Sequence, residues 1–358
     1  MSYSGLVMSK KSECGSLVNG IPAKGCVHCM NGSKMVLFIS GICGKGCFYC
    51  PVSNDKKEKD VVYANERPIC DDDEIIAEAE SMDATGTGIT GGDPLMEMDR
   101  TLSIIRLLKD KIGSGHHIHL YTSTIDAEKT MALEEAGLDE IRFHPHADVW
   151  EAVGTTDLNK ILSTTNMFVG IEVPAIPDMS SQLETLVSDA IRLGVDFINI
   201  NELEFSESNW DMMGSRRYGL KDELSSAVSG SENTAENILE RFPDANIRYC
   251  SSLFKDSVQL RKRLIRTAKR IAKEYEAITE DGTIMRGLIY SDDTDGVFEL
   301  LRNEYYVPDE LMSADLANDR IEIAPWIVEE IAAELPYKCY IVEEYPTANR
   351  LEVERTPL

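Results

Sequence analysis

Apolar and polar positions alternate along most of this chain with two different periods. Runs with a period of two are typical of β-strands, and the runs between them have the longer period of α-helices. The pattern predicts strands over residues 35–41, 84–90, 117–123, 138–144, 167–173, 195–201 and 246–250. It predicts helices over residues 71–82, 97–112, 126–136, 157–164, 179–193 and 232–243. This alternation predicts an α/β fold, with a parallel sheet curved into a partial (β/α)6-type barrel.

The same pattern divides the chain into four segments. A cysteine-containing N-terminal leader (residues 1–34) precedes the barrel (35–252), and a basic linking helix (253–280) follows it. Residues 281–358 have strand-like and helix-like runs of their own, which predict a small C-terminal α/β domain. Residues 205–231 interrupt the alternation and are predicted to form a long functional loop or an insertion.

Composition narrows the class of protein. The 358 residues carry a formal net charge of −26, which disfavours general binding to nucleic-acid phosphates. The basic stretch between Lys255 and Lys273 is predicted to be a solvated helix face, and a docking face for an anionic partner such as tRNA is the alternative. No long uncharged apolar run predicts a membrane helix, and the N-terminus lacks the apolar core of a signal peptide. We therefore expect a cytoplasmic protein.

The cysteines are clustered, since six of the nine lie before residue 51. In a cytoplasmic chain this clustering favours metal or cluster binding over disulfides. Residues 41–52 read GICGKGCFYCPV, so Cys43, Cys47 and Cys50 follow the first predicted strand with the spacing C-x3-C-x2-C. Three thiolates would leave one iron of a [4Fe-4S] cluster without a protein ligand. A zinc site is the alternative, although zinc sites usually show paired CxxC units.

A second motif follows the second predicted strand. Residues 89–95 read ITGGDPL, and the two glycines allow a close approach of the backbone to a neighbour. An ordinary turn between strand and helix is the structural alternative.

The two motifs together resemble the signature of the radical S-adenosylmethionine (SAM) superfamily. The phrases FYCPVS, ITGGDPL, EIRFHP and RLEVERTPL further resemble an archaeal group related to pyruvate formate-lyase activating enzyme. The resemblance implies a [4Fe-4S] cluster on the three cysteines, with SAM on its open iron and an electron donor such as ferredoxin or flavodoxin. It also implies that Tyr49 and the segment Gly91, Gly92, Asp93 and Pro94 contact SAM. Asp93 stands where the superfamily usually has Glu, so a less direct role is expected for its side chain.

The period-two alternation also predicts which strand side chains face the barrel interior. The predicted interior set is His119, Tyr121, Ser123, Arg142, His144, Gly170, Glu172, Asn199, Asn201, Arg248 and Cys250. A purely structural interior would be filled by Val, Ile and Leu, so this polar set favours a ligand over an internal hydrogen-bond network. We predict that Ser123, Glu172 and Asn201 contact SAM, and that His144 and Arg142 face the substrate.

A second metal centre is predicted from the remaining cysteines. Cys26 and Cys29 are separated by two residues, and Cys250 ends the last strand of the barrel, which should approach the first. These three could ligate an auxiliary [4Fe-4S] cluster or zinc, with Cys14 as a fourth ligand. Free reduced thiols are the simpler alternative.

The sequence therefore predicts a radical SAM enzyme. SAM would be cleaved reductively to a 5′-deoxyadenosyl radical that abstracts hydrogen from a peptide, a protein or a small metabolite. The alternatives are an RNA-modifying radical SAM enzyme and a non-catalytic zinc-binding adaptor.

Overall fold

The computed structural model describes residues 10–11 and 13–358. Residues 1–9 and 12, which belong to the predicted leader, lie outside the described residues. The chain forms two compact units. One takes the residues up to Ala79 together with Ala84–Leu260, and the other takes Glu80–Asp83 together with Arg261–Leu358.

Eleven strands of the described chain form one sheet in the first unit. They are β1 (Lys10–Lys11), β2 (Leu17–Asn19), β3 (Lys34–Phe38), β4 (Tyr63–Ala64), β5 (Arg67–Pro68), β6 (Gly86–Thr90), β7 (His117–Thr122), β8 (Glu140–Phe143), β9 (Phe168–Ala175), β10 (Phe197–Glu202) and β11 (Ile247–Cys250). Their order is β1-β2-β11-β10-β9-β8-β7-β6-β3-β4-β5.

The seven predicted strands form the parallel part of this sheet, from β3 through β6 to β11. The hairpin β1–β2 extends it antiparallel beside β11, and β4–β5 extends it beside β3. Side chains from β3 and from β7 to β11 line common cavities, so the sheet curves around a shared interior. The predicted α/β fold with a partial barrel is confirmed.

Helices lie before, between and after the parallel strands. They are α1 (Lys24–Met30), α2 (Asp72–Ser81), α3 (Met98–Lys111), α4 (Ala127–Ala136), α5 (Leu158–Thr164), α6 (Ser180–Leu193), α7 (Trp210–Ser215), α8 (Ser231–Arg241) and α9 (Ser252–Phe254). Local chemistry sets their ends: Asp126 caps α4 by accepting from Lys129 N at 2.9 Å. Gly137 and Gly194 end α4 and α6 in the left-handed conformation that favours glycine.

The outward strand side chains build the core beneath these helices. Ile118, Leu120, Ile141 and Phe143 are fully buried, as the alternation predicts for the apolar face. None of the helices in the described part of the chain is long and apolar enough to cross a membrane.

Helix α1 comes from the predicted leader and lies against the first residues of the barrel strands. Gly25 N donates to Glu140 Oε2 of β8 at 3.1 Å, and the ring of His28 stacks on His117 of β7 with centroids 5.2 Å apart. Helix α1 therefore closes the amino-terminal end of the barrel interior.

The second unit has a sheet of its own, in which every strand pairing is antiparallel. Its strands are β12 (Ala277–Ile278), β13 (Ile284–Tyr290), β14 (Met312–Asp315), β15 (Arg320–Ile323), β16 (Lys338–Glu344) and β17 (Glu352–Pro357). The order is β14-β15-β13-β16-β17, with β12 beside β13. Helices α10 (Arg261–Ile271), α11 (Thr294–Asn303) and α12 (Pro325–Ile331) complete the unit, whose core contains Ile289, Leu301, Ile321 and Val328. The predicted linking helix comprises part of α9, a π-helical segment (Lys255–Leu260) and α10.

Candidate active site

The three cysteines of the C-x3-C-x2-C motif, here called the cysteine triad, lie on the loop after β3. Backbone bonds close the base of this loop, from Gly41 N to Lys59 O at 2.8 Å and from Glu58 N to Gly41 O at 3.0 Å. All three cysteines line one cavity of about 450 Å³ at the carboxyl ends of the strands, here called the upper cavity. The loop therefore presents three thiols to a single space, where barrels of this kind place their chemistry.

The segment Gly91–Pro94, here called the GGDP loop, packs against the cysteine loop. Gly92 N donates to Ser40 O at 2.7 Å, and Asp93 N donates to Ile42 O at 3.0 Å. A Cβ on Gly91 would lie 2.6 Å from Ser40 O, and a Cβ on Gly92 would overlap Ile42 O. Glycine is needed at both positions because the two loops share backbone contact there.

Hydrogen bonds of the Asp93 carboxylate hold the GGDP loop in place. Its buried carboxylate accepts hydrogen bonds from the hydroxyls of Thr122 (2.7 Å), Ser123 (2.6 Å) and Thr124 (2.9 Å), and from Leu95 N at 3.1 Å. The side chain is thus directed at the end of β7 and not at the upper cavity. Pro94 begins the short 3-10 helix that follows and is also buried.

Tyr49 and His144 form a pair at the wall of the upper cavity. The Tyr49 hydroxyl and His144 Nε2 are 3.1 Å apart, and His144 Nδ1 lies 2.7 Å from the backbone oxygen of Glu172. Burial lowers the pKa of His144, so its imidazole is neutral at pH 7. Nδ1 must then carry the proton to donate to the carbonyl, and Nε2 accepts from Tyr49.

Glu172 is the centre of a buried polar network. Its carboxylate accepts from Arg142 Nη1 at 2.7 Å, from Asn199 Nδ2 at 2.8 Å and from Asn201 Nδ2 at 3.0 Å. Burial raises the pKa of the carboxyl, but the Arg142 charge and these hydrogen bonds outweigh it and lower the pKa to about 2. The Glu172 carboxylate therefore stays ionised inside the barrel, where it is paired with the Arg142 guanidinium.

A second cavity of about 170 Å³ lies deeper, above α1, and is here called the floor cavity. It shares Lys34, Tyr121, Glu172, Asn201 and Lys255 with the upper cavity, so the two spaces adjoin. The other residues that line it are Cys26, Cys29, Arg142, Asn199, Arg248, Cys250 and Gln259. Burial raises the pKa of the Cys250 thiol to about 11.

The predicted site residues thus separate into two groups. The upper cavity is lined by the cysteine triad, Tyr49, Gly91, Gly92, Ser123, His144, Glu172 and Asn201. Arg142 lies in the floor cavity with Cys26, Cys29 and Cys250. Cys14 lines neither cavity, and its carbonyl accepts from the Ser251 hydroxyl at 2.6 Å.

Comparison with known proteins identifies the family. The family described as the radical SAM superfamily matches residues 37–162, which contain the cysteine triad and the GGDP loop. A Methanocaldococcus jannaschii protein named "Putative glycyl-radical enzyme activating enzyme" is 41% identical over 351 residues, covering 94% of this chain and 92% of that protein. The chain belongs to the radical SAM superfamily. It is an enzyme of that superfamily, and not a non-catalytic zinc-binding adaptor.

Other comparisons with this radical SAM enzyme are more distant. Residues 282–358 match a family described as a domain of unknown function, DUF8061. Streptococcus suis SuiB bound to precursor peptide SuiA has a TM-score of 0.42 and 12% identity, covering 70% of this chain and 58% of that one. Methylornithine synthase (PylB) has a TM-score of 0.40 and 11% identity, covering 63% of this chain and 72% of that one.

The cysteine triad has the donor chemistry that the radical SAM cluster requires. Burial raises the pKa of both Cys43 and Cys47, and the negative charge of neighbouring cysteines raises each further. Three thiolates in one cavity repel one another unless a cation lies between them, and an iron–sulfur cluster provides that cation. The residues present therefore fit the cluster.

Two lysines of the radical SAM enzyme were missed as site residues. Lys34 and Lys255 line both cavities, and Lys34 begins β3, where Met35 and Leu37 face outward and are fully buried. The alternation of β3 could have placed Lys34 inside. Lys255 lies in the π-helical segment, where strand alternation does not apply and so could not predict its orientation.

The segment 205–231 also contributes to the site. Asn209 Nδ2 donates to Tyr49 O at 3.2 Å, and the Ser208 hydroxyl donates to Cys50 O at 3.2 Å. These bonds hold the end of the cysteine loop from outside the cavity. Residue spacing gave no signal for this support, because it connects segments about 160 residues apart.

Proposed function

We propose that this radical SAM enzyme binds a [4Fe-4S] cluster on Cys43, Cys47 and Cys50 and SAM in the upper cavity. The observation that carries the proposal is that the triad, the GGDP loop and the polar strand ends line one space of about 450 Å³. That volume lies within the range of small-molecule sites. When bound, the cluster supplies the electron that cleaves SAM to methionine and a 5′-deoxyadenosyl radical.

The chain's own residues then have distinct parts in binding SAM. The glycines of the GGDP loop let the backbone approach its amino group, and Asp93 fixes the loop as a positioning residue. Ser123 and Asn201 offer a hydroxyl and an amide at the strand ends. Glu172 offers a carboxylate that both cavities share.

The substrate side of the proposal concerns His144 and Arg142. His144 reaches the upper cavity as a neutral imidazole whose orientation is held at both ring nitrogens. Arg142 is only 2% exposed and bound to Glu140 and Glu172, so it acts by positioning Glu172 and not by direct contact in the upper cavity.

For the substrate class we favour a peptide or protein, with ferredoxin or flavodoxin as the electron donor. The support is the 41% identical relative, whose name describes the activation of a glycyl-radical enzyme. A small metabolite is the second candidate, since the polar interior offers it several hydrogen-bonding groups. RNA is disfavoured by the net charge of −26. A cytoplasmic location fits nine cysteines without a disulfide among those the structure describes.

The test is anaerobic incubation of the reconstituted protein with SAM and dithionite, followed by quantification of 5′-deoxyadenosine. Wild type should form it, and the triple variant Cys43→Ala, Cys47→Ala, Cys50→Ala should form none. Cys70→Ala, a change at an exposed cysteine outside both cavities, is the matched control. Formation by the triple variant at the wild-type rate would refute the assignment of the triad.

The proposed cofactor complement has a second member, a metal–sulfur centre on Cys26, Cys29 and Cys250. Its support is that α1 and β11 bring these three thiols into the floor cavity. Cys14 is not part of this proposal, because it does not line that cavity.

A further inference from the structure

The floor cavity combines three thiols with four cationic side chains. Cys26 and Cys29 enter from α1 and Cys250 from β11, and Lys34, Arg142, Arg248 and Lys255 line the same space. Among the described residues, Glu172 is the only one that lines it with a carboxylate. Buried charges need partners of opposite charge, so the partner of each cation matters here.

The thiols and the cations are placed against each other. Cys26 Sγ accepts from Arg142 Nη2 at 3.5 Å and from Asn199 Nδ2 at 3.2 Å. Cys29 interacts electrostatically with Lys34, and Cys250 interacts electrostatically with Arg248. Each sulfur therefore has a cationic side chain near it.

One of the four cations, Arg248, has no ion pair in the described chain. Arg142 is neutralised by Glu140 and Glu172, and Lys255 is paired with Glu204. Arg248, by contrast, is 4% exposed, and its Nε and Nη1 atoms find no hydrogen-bond acceptor among the described residues. The Lys34 ammonium lies near the Cys29 thiol, the Tyr121 ring and the shared Glu172. The cavity thus calls for an occupant that carries negative charge.

We infer that the floor cavity binds an iron–sulfur cluster through Cys26, Cys29 and Cys250, with Arg248 and Lys34 as its counter-charges. A cluster with three thiolate ligands is a net anion, so it meets the charge requirement. An organic anion would meet the charge requirement as well, but it would leave three thiols as weak and poorly suited partners.

The spacing of the thiols favours a cluster over a single ion. A zinc ion needs its ligand atoms within about 2.3 Å of one point. In the part of the chain that the structure describes, no three His, Cys, Asp or Glu side chains are arranged to hold one ion. The three cysteines instead line a space of about 170 Å³, several times the ~30 Å³ share of one water molecule. A space of this size can hold a multi-atom cluster.

The test separates this centre from the triad. The triad variant Cys43→Ala, Cys47→Ala, Cys50→Ala is reconstituted anaerobically with iron and sulfide, and iron, acid-labile sulfide and zinc are measured. We expect about four irons per chain to remain, with the electron paramagnetic resonance signal of a reduced cluster. Adding Cys26→Ala, Cys29→Ala and Cys250→Ala should remove this iron, and adding Cys70→Ala should not.

Three results would overturn the inference. The triad variant could hold no iron, it could hold one stoichiometric zinc ion in place of iron, or its iron could survive the loss of the three floor cysteines. The floor variant with an intact triad should still hold about four irons. If only the triad iron is missing from wild type, the proposed function fails and the floor centre stands. Circular dichroism on every variant shows that the fold is retained.

A second readout tests the counter-charge. Arg248→Met removes a positive charge beside the cluster, which disfavours the more negative reduced state and should lower its midpoint potential in the triad variant. Arg248→Lys should restore most of the potential, since it restores the charge. An unchanged potential in both variants would show that Arg248 does not face a cluster.

Discussion

The Ser123 hydroxyl donates to the Asp93 carboxylate at 2.6 Å, which joins the end of β7 to the GGDP loop. Ser123 N approaches the same carboxylate oxygen at 3.3 Å. The loop that we propose to approach SAM is therefore supported by the end of the neighbouring strand. The carboxylate at this position acts through the backbone that it holds.

We predict that Asp93→Asn weakens SAM binding at least tenfold. An amide would turn one of its two acceptor atoms into a donor that faces the hydroxyls of Ser123 and Thr124. One buried mismatch of this kind costs about 1–3 kcal/mol. Calorimetry with SAM on reconstituted protein measures the affinity, and urea unfolding measures the loss of stability. Asp99→Asn, at an exposed position of α3, is the control; equal SAM affinity in the two variants would contradict the prediction.

Gly92→Ala should lower both iron retention and SAM affinity. The added Cβ would lie 2.7 Å from Gly41 O and overlap Ile42 O, so the cysteine loop must move. Because these contacts are backbone atoms, no side-chain rotation relieves them. Iron quantification and calorimetry after identical reconstitution give the two readouts.

Gly44→Ala is a matched control in the same loop, since no atom lies within 4 Å of a Cβ there. It should keep wild-type iron and SAM affinity. A wild-type iron content in Gly92→Ala would contradict the prediction, because it would show that the cysteine loop accommodates the added Cβ.

Much of this site follows from the alternation of the strands. Asn199 and Glu172 are partners in the parallel register of β10 and β9, so two residues chosen for facing inward also hydrogen-bond to each other. The separate depths of His144 and Arg142 follow from the same rule, because Arg142 lies on β8 and His144 follows the end of that strand two residues later. Strand periodicity thus predicted which residues face the interior.

Periodicity could not predict what enters the barrel from outside the sheet. Helix α1 has seven residues and places Cys26 beside Arg142, a contact 116 residues apart in sequence. Lys255 reaches the interior from a π-helical segment, where neither strand nor helix spacing applies. These positions depend on tertiary packing, which no local pattern encodes.

The first unit should lose stability as the pH falls below about 6.5. Burial lowers the pKa of His116 to about 4 and that of His117 to about 3. The unfolded chain therefore gains protons from pH 6.5 downward while the folded chain does not, and each histidine costs up to about 1.4 kcal/mol per pH unit. Urea unfolding at pH 7.5, 6.5, 5.5 and 4.5 measures the slope.

His116→Gln should flatten that slope, because the titrating group is removed while a hydrogen bond to Thr87 remains available. A wild-type stability that does not change between pH 6.5 and 4.5 would contradict the assignment of neutral buried histidines.

Glu172→Gln should destabilise the protein at neutral pH and much less in acid. The wild-type carboxylate neutralises buried Arg142, and with a folded pKa of about 2 it contributes up to about 3 kcal/mol above its unfolded pKa of 4.5. This contribution disappears as the pH falls from 4.5 toward 2, so the difference in stability between wild type and variant should narrow over that window.

Urea unfolding at pH 7 and pH 3 measures this difference in stability, with Glu135→Gln on the exposed face of α4 as the control. The same variant should bind SAM more weakly, because Asn201 loses the charged acceptor that orients its amide. A difference in stability that is equal at pH 7 and pH 3 would show that shape, and not charge, is what Glu172 contributes to the network.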